Sequence, residues 1–363
     1  MEPMTPEAVE PALARFVGTP AYLHLETTVG AYTAGAFGAF ARNLPVVVRR
    51  AAVRATADRH RVGLQTDAGW IYAEGLTHWE LDGEGRLLLA GYDGEGRVNV
   101  VCELSAAPFP MHPEPLRLAI AAEPAGGGPW EPPSPERQVL VVLAHPDDET
   151  FGCAGTIALY TRAGVPVTCA IGTRGEMGRN MGNPFFATRE TLHQLREREL
   201  AAACAVLGVT DLRLLGCWDK TSEFLAPGVV ADRILALLEE LRPTLVITHH
   251  PEFGGHPDHC AIGAATVAAL GRLPAPARPR LWCLIPPRLA EDHGLPLETL
   301  DVSAVVDIKE AAVRAHRSQS EAALKRLKPE ERQQRRERIA LERHTVHPPS
   351  GDGSTWLPPA GTP

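Results

Sequence analysis

The chain has 363 residues, enough for roughly two domains of about 150 residues each. At 44% hydrophobic and 22% charged residues it has the make-up of an ordinary globular protein. A net charge of −8 excludes the basic footprint of a nucleic-acid binder, and no apolar run reaches the ~20 residues that cross a bilayer.

The first predicted elements are strands. YLHLETT (22–28) and VGLQTDAGWIYAEGL (62–76) supply short ones. LLLAG, the Gly-rich turn YDGEG, and Arg97–Leu104 follow; in the last stretch Val98, Val100, Cys102 and Leu104 share one face, so 86–104 reads as a hairpin. Residues 1–120 are therefore expected to form a small, mainly β accessory domain. AAEPAGGGPWEPPSPE (121–136) is rich in Pro, Gly and Ala and suits a linker.

The pattern then changes. Apolar strands at 139–144, 166–171, 244–248 and 280–284 alternate with helical stretches. Val230, Ile234, Leu237 and Leu241 mark one helical face, and Gly208 stops the helix that ends at Leu207. Such alternation predicts an α/β fold, a Rossmann-like, mostly parallel sheet with helices on both faces, over 137–345. Residues 309–345 read as charged helix, and 346–363 as a disordered tail. The seven cysteines include no CxxC pair, and MEPMTPEAVE lacks the apolar core of a signal peptide, so reduced thiols and a cytoplasmic location are expected.

Ligands of such sheets bind beyond the carboxyl ends of the strands. AHPDDE (144–149) lies at one such end, and THHPEFGGHPDH (248–259) lies at another. Together they offer His145, Asp147, Asp148, His256, Asp258 and His259. A catalytic zinc takes three protein ligands and keeps a fourth position for water, whose pKa it lowers to near 7. Two histidines and a carboxylate make such a set; a further carboxylate suits a general base and a further histidine an oxyanion partner. The residue types do not by themselves choose between Asp147 and Asp148. A lone HPDD is equally a helix N-cap; two such loops at strand ends of one sheet favour the metal.

AHPDDE with GHPDH resembles the LmbE/PIG-L family of metal-dependent N-acetylglucosamine deacetylases. GEMGRNMGNPFFATRETL (175–192), LREREL (195–200) and LGCWDKTSEF (215–224) resemble its bacillithiol-biosynthesis branch, which acts on N-acetylglucosaminyl malate. The resemblance implies His145, Asp148 and His259 as ligands of a zinc ion, with ferrous iron suited by the same donors. It implies Asp147 as general base, His256 as acid or electrophilic partner, and Asp258 as the group that orients His256. It also implies a sugar amide with carboxylates as substrate, and a homo-oligomer is expected. Some relatives carry a tyrosine two residues before the histidine matching His256; here that residue is Gly254.

Arg196 matches the family's substrate-gripping arginine, and a guanidinium suits bidentate carboxylate recognition; the bland alternative is a surface pair with Glu199. Arg179 and Asn180 in a Gly-rich loop, and Glu176, are further substrate candidates, each set against a plain loop or surface role. Asp219 is a weaker one. Cys153 is expected to be a small buried residue, His249 and His250 to serve the strand end and its loop, and Glu149 to be an ordinary acid of a first helical turn. No role is assigned to His316. The N-terminal part, through YLHLETT and RVGLQTDAGWIYAEGL, resembles a small uncharacterised β-rich family whose members tend to be encoded beside this deacetylase. Trp70, Tyr72 and Trp79 read as sheet-packing aromatics, with a carbohydrate platform as the alternative.

Overall fold

The computed structural model describes residues 1–29, 37–56, 59–121, 131–226 and 228–346. Most of the expected linker, and the tail from 347 onward, lie outside the described residues. The chain divides into two compact units, Met1–Met111 with Gly178–Leu192, and His112–Met177 with His193–Pro363.

The first unit contains β1 (Glu2–Pro3), α1 (Pro6–Ala14), β2 (Pro20–Thr28), β3 (Gly38–Thr56), β4 (Arg59–Thr66), β5 (Gly69–Leu76), β6 (His78–Leu81), β7 (Leu87–Tyr92) and β8 (Val98–Ser105). One antiparallel sheet takes them in the order β1-β6-β7-β8-β2-β3-β4-β5. Its core includes Leu23, Leu64, Leu76, Leu87, Leu89 and Leu104, all buried. Trp70 and Tyr72 stand out of the sheet, 66% and 54% exposed, whereas Trp79 packs against the core.

The second unit contains β9 (Leu116–Leu118), β10 (Val139–Leu143), α2 (Asp148–Arg162), β11 (Val167–Ile171), α3 (Leu192–Leu207, from His193 onward), β12 (Asp211–Leu214), α4 (Val229–Leu241), β13 (Leu245–His249), α5 (Pro257–Gly271), β14 (Arg280–Leu284), α6 (Pro287–Asp292), β15 (Glu298–Asp301), α7 (Val306–Ala315), α8 (Arg317–Arg326), α9 (Pro329–Ile339) and β16 (Leu341–Val346). Its sheet runs β15-β16-β14-β13-β10-β11-β12-β9. The five central strands are parallel; β9 and β16 run antiparallel to the strands they join, and β15 pairs antiparallel with β16.

β10 is apolar throughout because both its faces are covered. Val139, Val141 and Leu143 enter one core, and Leu140, Val142 and Ala144 the other, all at 0% exposure. Each such side chain contributes roughly 1.5–3 kcal/mol of burial. The parallel order β12-β11-β10-β13-β14 reverses direction between β10 and β13. Main-chain connections leave to opposite sides there, which opens a crevice at the carboxyl ends. AHPDDE follows β10 and the histidine-rich run follows β13, so this topology brings the two loops together.

Three expectations change. The domain boundary falls after Met111 and not at 120, because Leu116–Leu118 pairs with β12 in the second sheet. Residues 178–192 join the first unit. The charged run 309–345 is three helices and a strand: His316 breaks the first helix with ψ 60, Pro329 opens the last, and Leu341–Val346 pairs with β14 and β15.

Candidate active site

β10 ends at Leu143, and its chain turns through His145 and Pro146 into α2. His145 Nδ1 lies 3.2 Å from His259 Nε2 and 3.5 Å from Asp148 Oδ2, and His259 Nε2 lies 3.3 Å from Asp148 Oδ1. A tetrahedral ion with bonds of about 2.05 Å has corners about 3.3 Å apart, so these three groups have the spacing of a metal triad.

The proton positions agree with that spacing. His259 Nδ1 is 2.9 Å from the Gly254 carbonyl, which can only accept, so Nδ1 carries the proton and Nε2 keeps its lone pair. His145 Nε2 is 3.2 Å from Asp258 and 3.3 Å from Asp219. Two carboxylates there select Nε2–H, and in the neutral ring that leaves the Nδ1 lone pair facing His259. Two lone pairs and a carboxylate aimed at one point call for a cation. Although burial works against it, the His259 and His249 rings hold the Asp148 carboxyl well below the usual carboxylate range.

Three other groupings of potential ligands lie close by among the described residues: His145 with His256 and His259, Asp148 with His249 and His259, and His145 with Asp219 and Asp258. His249 stacks on His259 with centroids 3.9 Å apart, and its Nε2 lies 3.3 Å from the Ala144 N–H and 3.2 Å from Asp148. Without a proton that nitrogen accepts from Ala144, and with one it donates to Asp148, so no lone pair is left over. Asp258 accepts the Lys220 and Ser222 N–H groups, and Asp219 accepts that of Met177. Both carboxylates are thereby committed behind His145.

Asp147 occupies the N-cap position of α2 but makes no side-chain cap bond, so the plain capping reading does not describe it. Its φ is 114°. A left-handed non-glycine residue costs roughly 1–3 kcal/mol and persists only where its surroundings hold it. Arg196 is one holder: its Nη2 donates to Asp147 Oδ2 at 3.1 Å and to the Pro146 carbonyl, and its Nη1 to the Gly175 carbonyl. The surface pair with Glu199 is not what forms, because Glu199 accepts from the Ser318 N–H and hydroxyl instead. Burial pushes the Asp147 carboxyl up to about 6, against the pull of Arg196.

The second holder was not visible in the sequence. Glu149 is fully buried; its Oε2 accepts the Asp147 N–H at 2.9 Å and its Oε1 accepts from His316 Nε2 at 2.7 Å. Glu149 is thus a brace for the strained residue. Glu149→Ala is expected to lower turnover about 10–100-fold, the usual scale for a group that orients a catalytic one. His316→Ala should act in the same direction, and the double variant should be no worse than Glu149→Ala. Metal content measured beside kcat checks this; loss of metal in step with activity would instead mark a failure of the whole loop.

His256 caps α5, its Nδ1 accepting the Asp258 N–H at 3.1 Å, so a neutral ring carries its proton on Nε2. Burial pushes it down to about 4, which keeps it neutral. Asp258 meets His256 through its backbone N–H, while its carboxylate is 3.9 Å from His256 Nδ1 and 3.2 Å from His145 Nε2. Glu176 is buried beside Asp219, accepting its N–H at 3.3 Å; burial and the Asp219 charge push it up to about 7. Gly254 leaves no room for a side chain, since an added Cβ would meet the His259 Cβ at 2.8 Å.

Arg179 and Asn180 belong to the first unit, where Arg179 donates to the Val98 and Val29 carbonyls and to Asn99. Cys153 sits at a kink inside α2, 2% exposed, and burial raises its thiol well above its ordinary value.

Comparison with known proteins bears on both units. Residues 140–270 match the PIG-L family model, GlcNAc-PI de-N-acetylase, and residues 3–109 match a family described as a protein of unknown function, DUF1806. A Bacillus cereus protein named probable N-acetyl-alpha-D-glucosaminyl L-malate deacetylase 2 is 49% identical over 52% of this chain and 86% of its own length. A Bacillus subtilis protein of the same name is 47% identical over 53% of this chain and 87% of its own. The uncharacterized protein YojF of Bacillus subtilis is 39% identical over 30% of this chain and 98% of its own. With such a relative covered over most of its length, the chain belongs to the PIG-L family of de-N-acetylases and is a hydrolytic N-deacetylase fused behind a DUF1806 domain.

Proposed function

We propose that the chain removes acetate from N-acetylglucosaminyl malate, a step of bacillithiol synthesis, in the cytoplasm and with zinc as its metal. The observation that carries this reading is the convergence of His145, Asp148 and His259 beside a buried, strained Asp147. These three would hold the ion. When bound, zinc supplies Lewis-acid polarisation of the acetamide carbonyl and a water of lowered pKa.

Asp147 takes the proton from the attacking water, with Arg196 and Glu149 keeping its carboxylate in place. A carboxyl lifted by burial is better matched to neutral pH than an exposed one. His256 donates from Nε2 to the carbonyl oxygen as that oxygen gains negative charge. Asp147 or His256 then hands a proton to the departing amine as the C–N bond breaks, which leaves acetate and the free sugar amine. A concave surface lined by Ser222, Leu225, Phe253, Gly255 and His256 offers the sugar a place beside this chemistry. The malate name is carried by relatives at 47–49% identity.

Acetate release measured side by side on N-acetylglucosaminyl malate, free N-acetylglucosamine and a bacillithiol conjugate tests the substrate. The malate glycoside should give the highest kcat/KM. A conjugate that is cleaved faster would replace synthesis with amide cleavage in detoxification, and a preference for the free sugar would remove the malate.

A further inference from the structure

The segment Gly178–Leu192 lies in the deacetylase half of the sequence, yet its contacts are with the β strands of the first unit. Its backbone extends the sheet: the Val98 N–H donates to the Arg179 carbonyl at 2.9 Å, and the Met181 N–H to the Gly96 carbonyl at 3.0 Å. Phe185 packs against Tyr92 with centroids 4.3 Å apart and planes tilted by 39°, and meets His78 edge-on at 4.8 Å. Two consecutive residues of the segment then form crossed ion pairs. Arg189 reaches Glu26 through Nε at 2.9 Å and Nη2 at 3.1 Å. Glu190 accepts both terminal nitrogens of Arg42, at 2.9 and 3.1 Å, with Arg86 at 3.5 Å.

These four side chains are almost fully buried, Glu26 at 1% exposure, Glu190 and Arg189 at 2% and Arg42 at 6%. A buried charge is tolerable only with its partner in place. The β strands thus carry an acid and a base whose partners come from the other half of the sequence. Beside them, burial and the Glu190 charge hold the Glu103 carboxyl well above the usual carboxylate range. Along the chain the segment is bounded by residues of the candidate site: Glu176 lies two residues before it and Arg196 four residues after it.

We propose that the DUF1806 domain is a docking module for the Gly178–Leu192 segment, locked by the Arg189–Glu26 and Glu190–Arg42 pairs, and that docking sets Glu176 and Arg196 for catalysis. Arg189 and Glu190 are positioning residues, acting through the hold of their segment on the strands. The partner that the module fits is an extended segment carrying Phe and an Arg-Glu dipeptide. The kinetic consequence rests on the deacetylase reading above; the docking does not.

Three versions of the full chain test this: Arg189→Met, Glu26→Gln, and both together. Arg189→Met removes the guanidinium from Glu26 and leaves the buried carboxylate beside the His24 ring at 3.6 Å. Hydrogen exchange across 178–192 should rise at least about tenfold while β10 and α2 keep their protection, since a segment opens more readily once its buried partners are gone. KM for the acetylated sugar should rise several-fold at unchanged metal content. The double variant removes both charges and should return exchange and KM to within a few-fold of the native values. Unchanged exchange in Arg189→Met overturns the docking; raised exchange with native KM and kcat overturns its role in catalysis. A protease site placed within 122–130 and cut after folding leaves the cluster untouched. The two fragments should still co-elute in size exclusion, and fragments that separate overturn the proposal. Exchange and elution are read without substrate, so a wrong substrate assignment leaves them standing.

Discussion

Asp147→Asn should leave the metal in place and remove most of the turnover. The substitution keeps the size of the side chain and the backbone N–H that Glu149 holds. It leaves His145, Asp148 and His259 unaltered, so zinc occupancy should stay near one per chain. What disappears is the carboxylate that takes the proton of water. Proton transfer by a positioned side chain is worth about 10²–10⁴-fold, or roughly 3–5 kcal/mol of barrier. The Arg196 guanidinium loses its charged partner as well but keeps its carbonyl acceptors at Pro146 and Gly175, so the loop should stay folded. The measurements are metal content, thermal stability and acetate release on one preparation. A metal-replete Asp147→Asn protein with more than a tenth of native kcat would remove Asp147 from the role of base. The paired variant Asp148→Asn should behave differently, losing metal first, because Asp148 stands 3.3 Å from His259 Nε2 while Asp147 faces Arg196.

That inequivalence of neighbouring aspartates marks where sequence reading runs out. Local motifs reveal the chemistry: HPDD and HPDH sit at the ends of apolar strands, and strands buried on both faces, such as β10 and β13, announce themselves by composition. The doubly wound sheet follows from their alternation with helices. What stays hidden is set by pairing across long separations. His316 and Glu149 are 167 positions apart, and nothing in AHRSQ reveals that its histidine holds Glu149, which in turn accepts the Asp147 N–H. Asp219, in an unremarkable WDKT, joins Asp258 behind His145. Strand β16 reads LERHTV and carries two basic residues and an acid; it is a strand because β14 and β15 present unpaired edges to it, and Glu342 within it caps the Gly155 and Thr156 N–H groups at the kink of α2. Arg179 is another case: a basic residue in a Gly-rich loop beside a catalytic motif, whose guanidinium donates to the Val98 and Val29 carbonyls and to Asn99, pairings that its own loop does not announce.

His259→Ala should abolish metal binding, and activity with it. His259 Nε2 is the one corner of the triad whose distances to both others are 3.3 Å or less, and the Gly254 carbonyl fixes its ring through Nδ1. Removing it leaves an imidazole and a carboxylate, too few protein donors for a catalytic zinc site. Lewis-acid stabilisation worth several kcal/mol is lost, on the order of a thousandfold or more in rate. Metal per chain in the purified variant should fall below a tenth of the native value, and chelation of the native protein followed by zinc return should reproduce the loss and reverse it. His249→Ala is the discriminating partner, because His249 lies just as near Asp148 and stacks on His259. With its Nε2 lone pair committed, its removal should weaken the site without emptying it, whereas His145→Ala should empty it as fully as His259→Ala. If His249→Ala loses its metal while His145→Ala retains it, the ion sits between Asp148, His249 and His259, and the general base must be sought from that position anew.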